Sequence, residues 1–214
     1  LVGKKPLIFT NNDSGYETAI EFKKNGVNPL ILDTRKEPSS DIITEAKNLG
    51  IDIKFSYVVV AAKGYKKVKS ADIAKISENK KDLSNIENIE CDCICVSGFW
   101  TPSIHLASQS GNKSEFNEKI DAFIPKKSKQ KENTIGSANG KFSLEETINE
   151  AFDKGYEVSN KITENNNKVS IPTVVEKKST EHDKFWCVPL PKGKSYKRFL
   201  DFQNDVAVTD IELA

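Results

Sequence analysis

The sequence predicts an α/β fold of the Rossmann type, and three observations carry that reading. Over the first 55 residues, short apolar runs alternate with amphipathic stretches in the order strand, helix, strand, helix, strand. The links between them are short, which implies parallel pairing and right-handed crossovers. From Tyr57 the period changes, and YVVVAAKGYKKVKSADIAKI reads as two strands turning near Gly64 and Tyr65. That is a β-meander laid against a parallel sheet.

Each element has its local reason. PLIFT (6–10) is a short buried strand. Residues 14–25 place Ala19, Ile20 and Phe22 on one face with charges opposite, and Gly26 ends the helix as a C-cap. NPLIL (28–32) is the second strand, closing on Asp33. A helix at 40–49 stops at Gly50, and IDIKF (51–55) is the third strand. Residues 77–90 are polar and read as loop, and CDCICVS (91–97) returns as a strand ending in the turn GFWTP.

Beyond that point the texture differs. Residues 116–123 suggest a strand pair, and KKSKQKEN is a solvated, lysine-rich loop. A short strand at 134–135 runs into GSANGKF, followed by a long amphipathic helix over 143–162. Ser143 with Glu146 three residues on has the capping-box spacing. Residues 163–184, rich in Asn, Lys, Glu, Thr and Ser, read as a linker. A new unit begins near Phe185, and TDIELA reads as a helix starting behind an N-cap at Thr209.

Composition narrows the function. The 214 residues carry 32 Lys+Arg against 31 Asp+Glu, so no overall charge points to nucleic acid or an anionic membrane. Arg35 and Arg198 are the only arginines, which leaves few bidentate phosphate clamps. No apolar run approaches the roughly 20 residues that span a bilayer. Four cysteines, three of them in CDCIC, do not form a secreted disulfide pattern, and a reducing cytoplasm is expected. The chain has no Met, and both ends read as cut, which implies an internal piece of a longer polypeptide.

The chemistry-bearing candidates are few. TNNDSGY (10–16) occupies the position of a dinucleotide glycine loop, and Asp33 stands where such units carry the acid that takes the ribose hydroxyls. Yet Gly15 is its single glycine, and Asp13 would set an unneutralised carboxylate beside a diphosphate. Cys91, Cys93 and Cys95 fall on one strand face at a spacing of two. That spacing lacks the paired C-x2-C knuckles of zinc or iron–sulfur sites, so buried free thiols are expected. His105 and His182 have no suggested partner and read as structural. The stretch Gly136, Ser137, Ala138, Asn139, Gly140 ahead of a helix capped at Ser143 puts small residues beside helix N–H groups. Such a turn admits phosphate or a flat cofactor.

Four stretches taken in order carry a family resemblance: TNNDSGYETA, VSGFWTPSIHLASQSGNK, IGSANGKFSLEETINEA and FLDFQNDVAVTDIELA. The chain resembles the alpha subunit of heterotetrameric sarcosine oxidase over essentially its whole length. VSGFWTPSIHL is similar to that family's V-S-G-G-W-x-P-x-x-H-L, with Phe99 where Gly is usual. The resemblance implies a two-dinucleotide-binding-domain flavoprotein fold. Residues 1–112 would be the inserted second nucleotide-binding-like domain, and 113–162 the returning segment of the first, NAD-holding Rossmann domain. Residues 163–184 would be a linker, and 185–214 the start of a small domain.

On this map the glycine fingerprint lies upstream, and TNNDSGY heads the second, unoccupied nucleotide unit. The positions matching the family's NAD contacts are Gly136, Ser137, Ala138, Phe142 and Leu144. The resemblance further implies beta, gamma and delta partner subunits, with FAD and FMN in the complete complex. That complex demethylates sarcosine to glycine, passes the one-carbon unit to tetrahydrofolate and reduces O2 to H2O2. No catalytic residue and no metal site is expected in this piece, which would be inactive alone. Two other readings stay open: the alpha-type subunit of a related amino-acid or opine dehydrogenase, and a structural scaffold module without cofactor.

Overall fold

The structure is a computed structural model that describes residues 3–126, 128, 130–163, 170–175, 182–185, 187–193, 199–201 and 204–212. Contacts divide the chain into two units, Leu1–Gly98 with Thr180–Ala214, and Phe99–Ser179.

The first unit opens with β1 (Pro6–Thr10), α1 (Ser14–Lys24), β2 (Leu30–Asp33), α2 (Asp41–Asn48) and β3 (Asp52–Phe55). These elements are the expected alternation. The strands form a parallel sheet in the order β3-β2-β1-β7, with β7 at Cys93–Ser97. Gly26 and Gly50 follow the two helices with φ of +78° and +68°, the left-handed conformation that glycine adopts without steric cost. The meander is β4 (Tyr57–Gly64), β5 (Val68–Lys75) and β6 (Glu87–Glu90), paired antiparallel in that order. Its third strand corrects the sequence reading of 77–90 as loop. ENIE has no apolar alternation because only Ile89 turns inward, and pairing with β5 supplies the order.

Period-two alternation sorts the sheet's side chains into two cores. Ile8 and Ile31 point to the helices, packing with Tyr16, Ile20, Ile43 and Ala46. Leu7 and Leu32 point to the meander, packing with Ala71, Ile73 and Cys91. Each fully buried Leu or Ile among them contributes about 1.5–3 kcal/mol. Ser56, at φ +58°, turns the chain from β3 into β4; its carbonyl accepts from the Ile76 amide at 2.8 Å.

The second unit holds α3 (His105–Gln109), a hairpin of β8 (Ser114–Asn117) and β9 (Ala122–Pro125), a 3-10 turn at Gly136–Asn139, and α4 (Leu144–Thr163). The hairpin is the expected strand pair, with Phe116 and Phe123 edge to face at 5.3 Å. The strand expected at 134–135 is absent. Ile135 is extended but leads straight into the 3-10 turn, because Gly136 at φ +64° bends the chain. No residue of α4 is buried, and Leu144, Val158 and Ile162 stand exposed.

The expected linker at 163–184 lies largely outside the described residues. Past it, β10 (Phe199–Asp201) pairs antiparallel with β11 (Val206–Ala207), and α5 covers Val208–Glu212. Thr209 is therefore inside the helix and not its N-cap; Asp210 Oδ2 instead accepts from the Ala207 amide at 2.7 Å. No described helix is long and apolar enough to cross a membrane.

Candidate functional site

The loop between β1 and α1 bonds chiefly to its own chain. Thr10 Oγ1 donates to the Asn12 carbonyl at 2.8 Å, and the Ser14 amide donates to Asn12 Oδ1 at 2.9 Å. Asn12 Nδ2 donates to Asn11 Oδ1 at 2.8 Å and to the Ser97 carbonyl at the end of β7. The Ser14 and Ser97 hydroxyls lie 2.6 Å apart. Gly15 earns its place by packing: a Cβ there would stand 2.6 Å from Thr10 Cβ. Helix α1 thus sits tight on β1, which is one of the three jobs glycines do in a dinucleotide fingerprint. The other two, the tight turn and the approach to pyrophosphate, have no glycine here.

Asp33 does sit at the carboxyl end of β2, as the sequence position suggested, but it is fully buried and committed. Tyr16 Oη donates to its Oδ2 at 2.7 Å. Arg35 donates to it through the backbone amide at 2.9 Å, Nε at 3.0 Å and Nη2 at 2.8 Å. The same guanidinium reaches Asp13 Oδ1 from Nη1 at 2.8 Å, and both side chains are about nine-tenths buried. The carboxylate of Asp13, read from sequence as unneutralised, is therefore neutralised; residues 22 positions apart meet only through the fold. Burial, and then the charge of Asp33, push the Tyr16 phenol far above its ordinary range. Burial works to lower Arg35, but its bonds to Asp33 and Asp13 outweigh it and raise the guanidinium. Tyr16 and Arg35 thus take the acceptor atoms of Asp33, and Asp13 shares the same guanidinium.

A cavity of about 390 Å3 opens beside this cluster, lined by Thr34, Arg35, Ser56, Ser77, Lys80 and Asp183 among others. Lys80 and Asp183 were not singled out by sequence. They lie 103 positions apart in polar stretches, with no motif to join them.

The turn at 136–144 belongs to the second unit. Gly136 is buried, with φ +64°, and Gly140 has φ +78°. The Gly136 amide donates to Glu150 Oε2 and Asn139 Nδ2 donates to Glu150 Oε1, both at 2.7 Å. A Cβ on Gly136 would meet Thr147 Cγ2 at 3.0 Å, and one on Gly140 would meet Ile120 Cδ1 at 2.7 Å. The Ser143 hydroxyl caps the Glu146 amide at 3.3 Å, the expected capping contact. Phe142 lies edge to face on Phe99 at 5.4 Å. Phe99 itself has φ +84°. Ser137 and Leu144 are exposed, and Ala138 is half-buried. The five candidate residues are thus drawn together, with glycines shaping the turn and Ser137 and Leu144 facing out.

The cysteines divide. Cys93 and Cys95 share a face of β7, their Sγ atoms 3.7 Å apart, with Cys95 against the helix-side core. Cys91 precedes the strand and lies buried in the meander-side core, so the three do not share one face. Burial, and then the neighbouring Cys93, push the Cys95 thiol up to about 11. Among the described residues no group of three or more His, Cys, Asp or Glu could hold a metal ion. His105 is exposed at the start of α3.

No family model matches the chain. The T. acidophilum thioredoxin reductase has a similar fold, with a TM-score of 0.50 at 16% identity over 67% of this chain and 47% of that one. Among curated proteins, the sarcosine oxidase subunit alpha of Rhizobium meliloti is 27% identical over 99% of this chain. That of Corynebacterium sp. strain P-1 is 23% identical over 98%. The chain spans about a fifth of the length of these relatives, 20% and 22%. In fold the chain is a Rossmann-type α/β protein, and in sequence it is similar along nearly its whole length to the alpha subunit of sarcosine oxidases.

Proposed function

We propose that this chain is part of the alpha subunit of a flavin-dependent oxidoreductase of the sarcosine oxidase kind, and that its turn at 136–144 helps to hold NAD. The observation that carries this reading is the similarity to sarcosine oxidase alpha subunits along 98–99% of the chain. In this reading residues 113–162 belong to the NAD-holding domain and residues 1–112 to a second nucleotide-type domain whose pocket is taken by protein side chains. The complete enzyme would demethylate sarcosine to glycine, pass the one-carbon unit to tetrahydrofolate and reduce O2 to H2O2. FAD, FMN and beta, gamma and delta partner subunits would complete it.

The residues of the turn fit a bound dinucleotide in a particular way. The Gly136 amide is already given to Glu150, so Gly136 and Gly140 serve by shape, letting the turn adopt left-handed backbone at two points. Ser137 of the 3-10 turn and Leu144 at the start of α4 face outward, with Ala138 half-buried between them, and the helix N–H groups and positive dipole end there favour phosphate. Phe142, resting on Phe99, gives the turn an apolar flank. NAD bound there would supply nicotinamide chemistry or simply structure; this piece carries no residue assigned to catalysis.

The test is NAD released from the full-length subunit assembled with its partners. Gly136→Val is expected to lower NAD by more than half. Asp13→Asn, which keeps shape and an acceptor for Arg35, is expected to leave NAD unchanged. NAD retained by the Gly136 variant and lost from the Asp13 variant would reverse the assignment of the two loops.

A further inference from the structure

The ligand crevice of an open parallel sheet lies outside the carboxyl ends of its strands. In the first unit that place is taken by the chain itself. The Asp183 amide donates to the Asn11 carbonyl at 2.8 Å, and Asn11 Nδ2 donates to the Asp183 carbonyl at 2.9 Å. Asp183 is thereby joined by two backbone-directed bonds to the loop after β1. Its side chain goes to the loop after β2, where Thr34 Oγ1 donates to Oδ2 at 2.9 Å. Oδ1 pairs with Lys80 Nζ, which also stands 5.9 Å from the centre of the Phe185 ring. The Asp183 side chain is 12% exposed and that of Lys80 38%.

We propose that residues 182–185 are a latch docked in the nucleotide crevice of the first unit, with Asp183 as its bolt and Lys80 and Thr34 as the catch. The carboxylate occupies the kind of position in which a nucleotide fold receives an anionic group, between a hydroxyl and an ammonium at the strand ends. The surroundings suit an internal carboxylate and not a free phosphate. Arg35 is paired with Asp33 and Asp13, Lys36 with Glu78, and Lys80 with Asp183. A dinucleotide would have to displace a carboxylate and would meet Asp13 and Asp33 behind it. The latch therefore has a positive role: it fixes where the following polypeptide leaves the α/β unit. This inference is independent of the NAD reading for residues 136–144.

The experiment is hydrogen exchange of the peptide spanning 182–185 in the full-length polypeptide with its partners, for the parent, Lys80→Ala and Asp183→Asn. Exchange of the Asp183 amide is expected to quicken at least tenfold in both variants. It should also quicken in the parent on raising salt, since a pair with a partly exposed lysine is screened. Bound NAD is expected to stay as in the parent. Unchanged exchange in both variants overturns the latch. A second equivalent of NAD in Asp183→Asn also overturns it, since the segment would then be a lid over a working site. Should either variant unfold, Thr34→Val removes one hydrogen bond and no charge, and the same two readouts decide.

Discussion

The Tyr16 hydroxyl and the Asp33 carboxylate meet at 2.7 Å, across 17 residues and from different elements, and neither is open to solvent. Asp33 is thereby a structural acid. Tyr16→Phe leaves it one buried partner short and is expected to cost about 1–3 kcal/mol in denaturant unfolding. Asp33→Ala leaves Arg35 buried without its main counter-charge, a loss of about 3–5 kcal/mol. Equal losses in the two variants would show that the hydroxyl, and not the guanidinium, dominates the cluster.

The same burial makes Tyr16 a silent phenol. Its folded value is raised, so the stability it contributes is complete below the ordinary tyrosine range and falls as pH climbs through about 10, where the unfolded chain ionises. An ultraviolet titration of the folded protein checks this. Tyr16 should ionise only when the protein unfolds. A normal midpoint for every tyrosine in the folded protein would contradict the structure.

Phe99 carries a positive φ of +84°, and its ring rests on Phe142. The left-handed region costs a side-chain-bearing residue about 1–2 kcal/mol, and an edge-to-face ring pair returns about 0.5–1.5 kcal/mol. Both Phe99→Ala and Phe99→Gly lose the ring, but only glycine relieves the backbone. The glycine variant should therefore be the more stable of the two, by about 1 kcal/mol. Thermal unfolding that ranks alanine first would remove the strain from the account.

Thiol labelling should resolve the four cysteines. Cys187 is exposed and should react first, and Cys91, buried and with its thiol pushed up by burial, should react last. With Cys95 near 11, roughly a thousandth of it is thiolate at pH 8, and its rate should rise about tenfold per pH unit. Four equal rates in the folded protein would count against the core placement.

The strand and helix order of residues 6–55 was legible because burial on a sheet between two layers leaves a plain apolar pattern, and Gly26 and Gly50 mark the stops. The turn at 136–144 was legible for the same local reason: glycines and a capping serine. What escaped was non-local. Nothing near Asp13 announces Arg35, and nothing near Lys80 announces Asp183, because charge pairs leave no period in the sequence. Strand β6 escaped because its order comes from its partner β5 rather than from its own residues. The loop at 10–16 stood out by its single glycine, but its partners Arg35 and Ser97 did not.

The register of β1 sets a timetable. Its first neighbour, β2, begins 20 residues after Thr10, but its other neighbour, β7, begins at Cys93 after the whole meander has been made. On a ribosome adding about 5–20 residues per second, one edge of Leu7, Ile8 and Phe9 stays bare for on the order of 10 s. Of the four strands of this sheet, β1 comes earliest in the chain and is enclosed on its second edge only when β7 arrives. Slow codons within the meander would lengthen that exposure, and a chaperone that binds short apolar strands would find its target there.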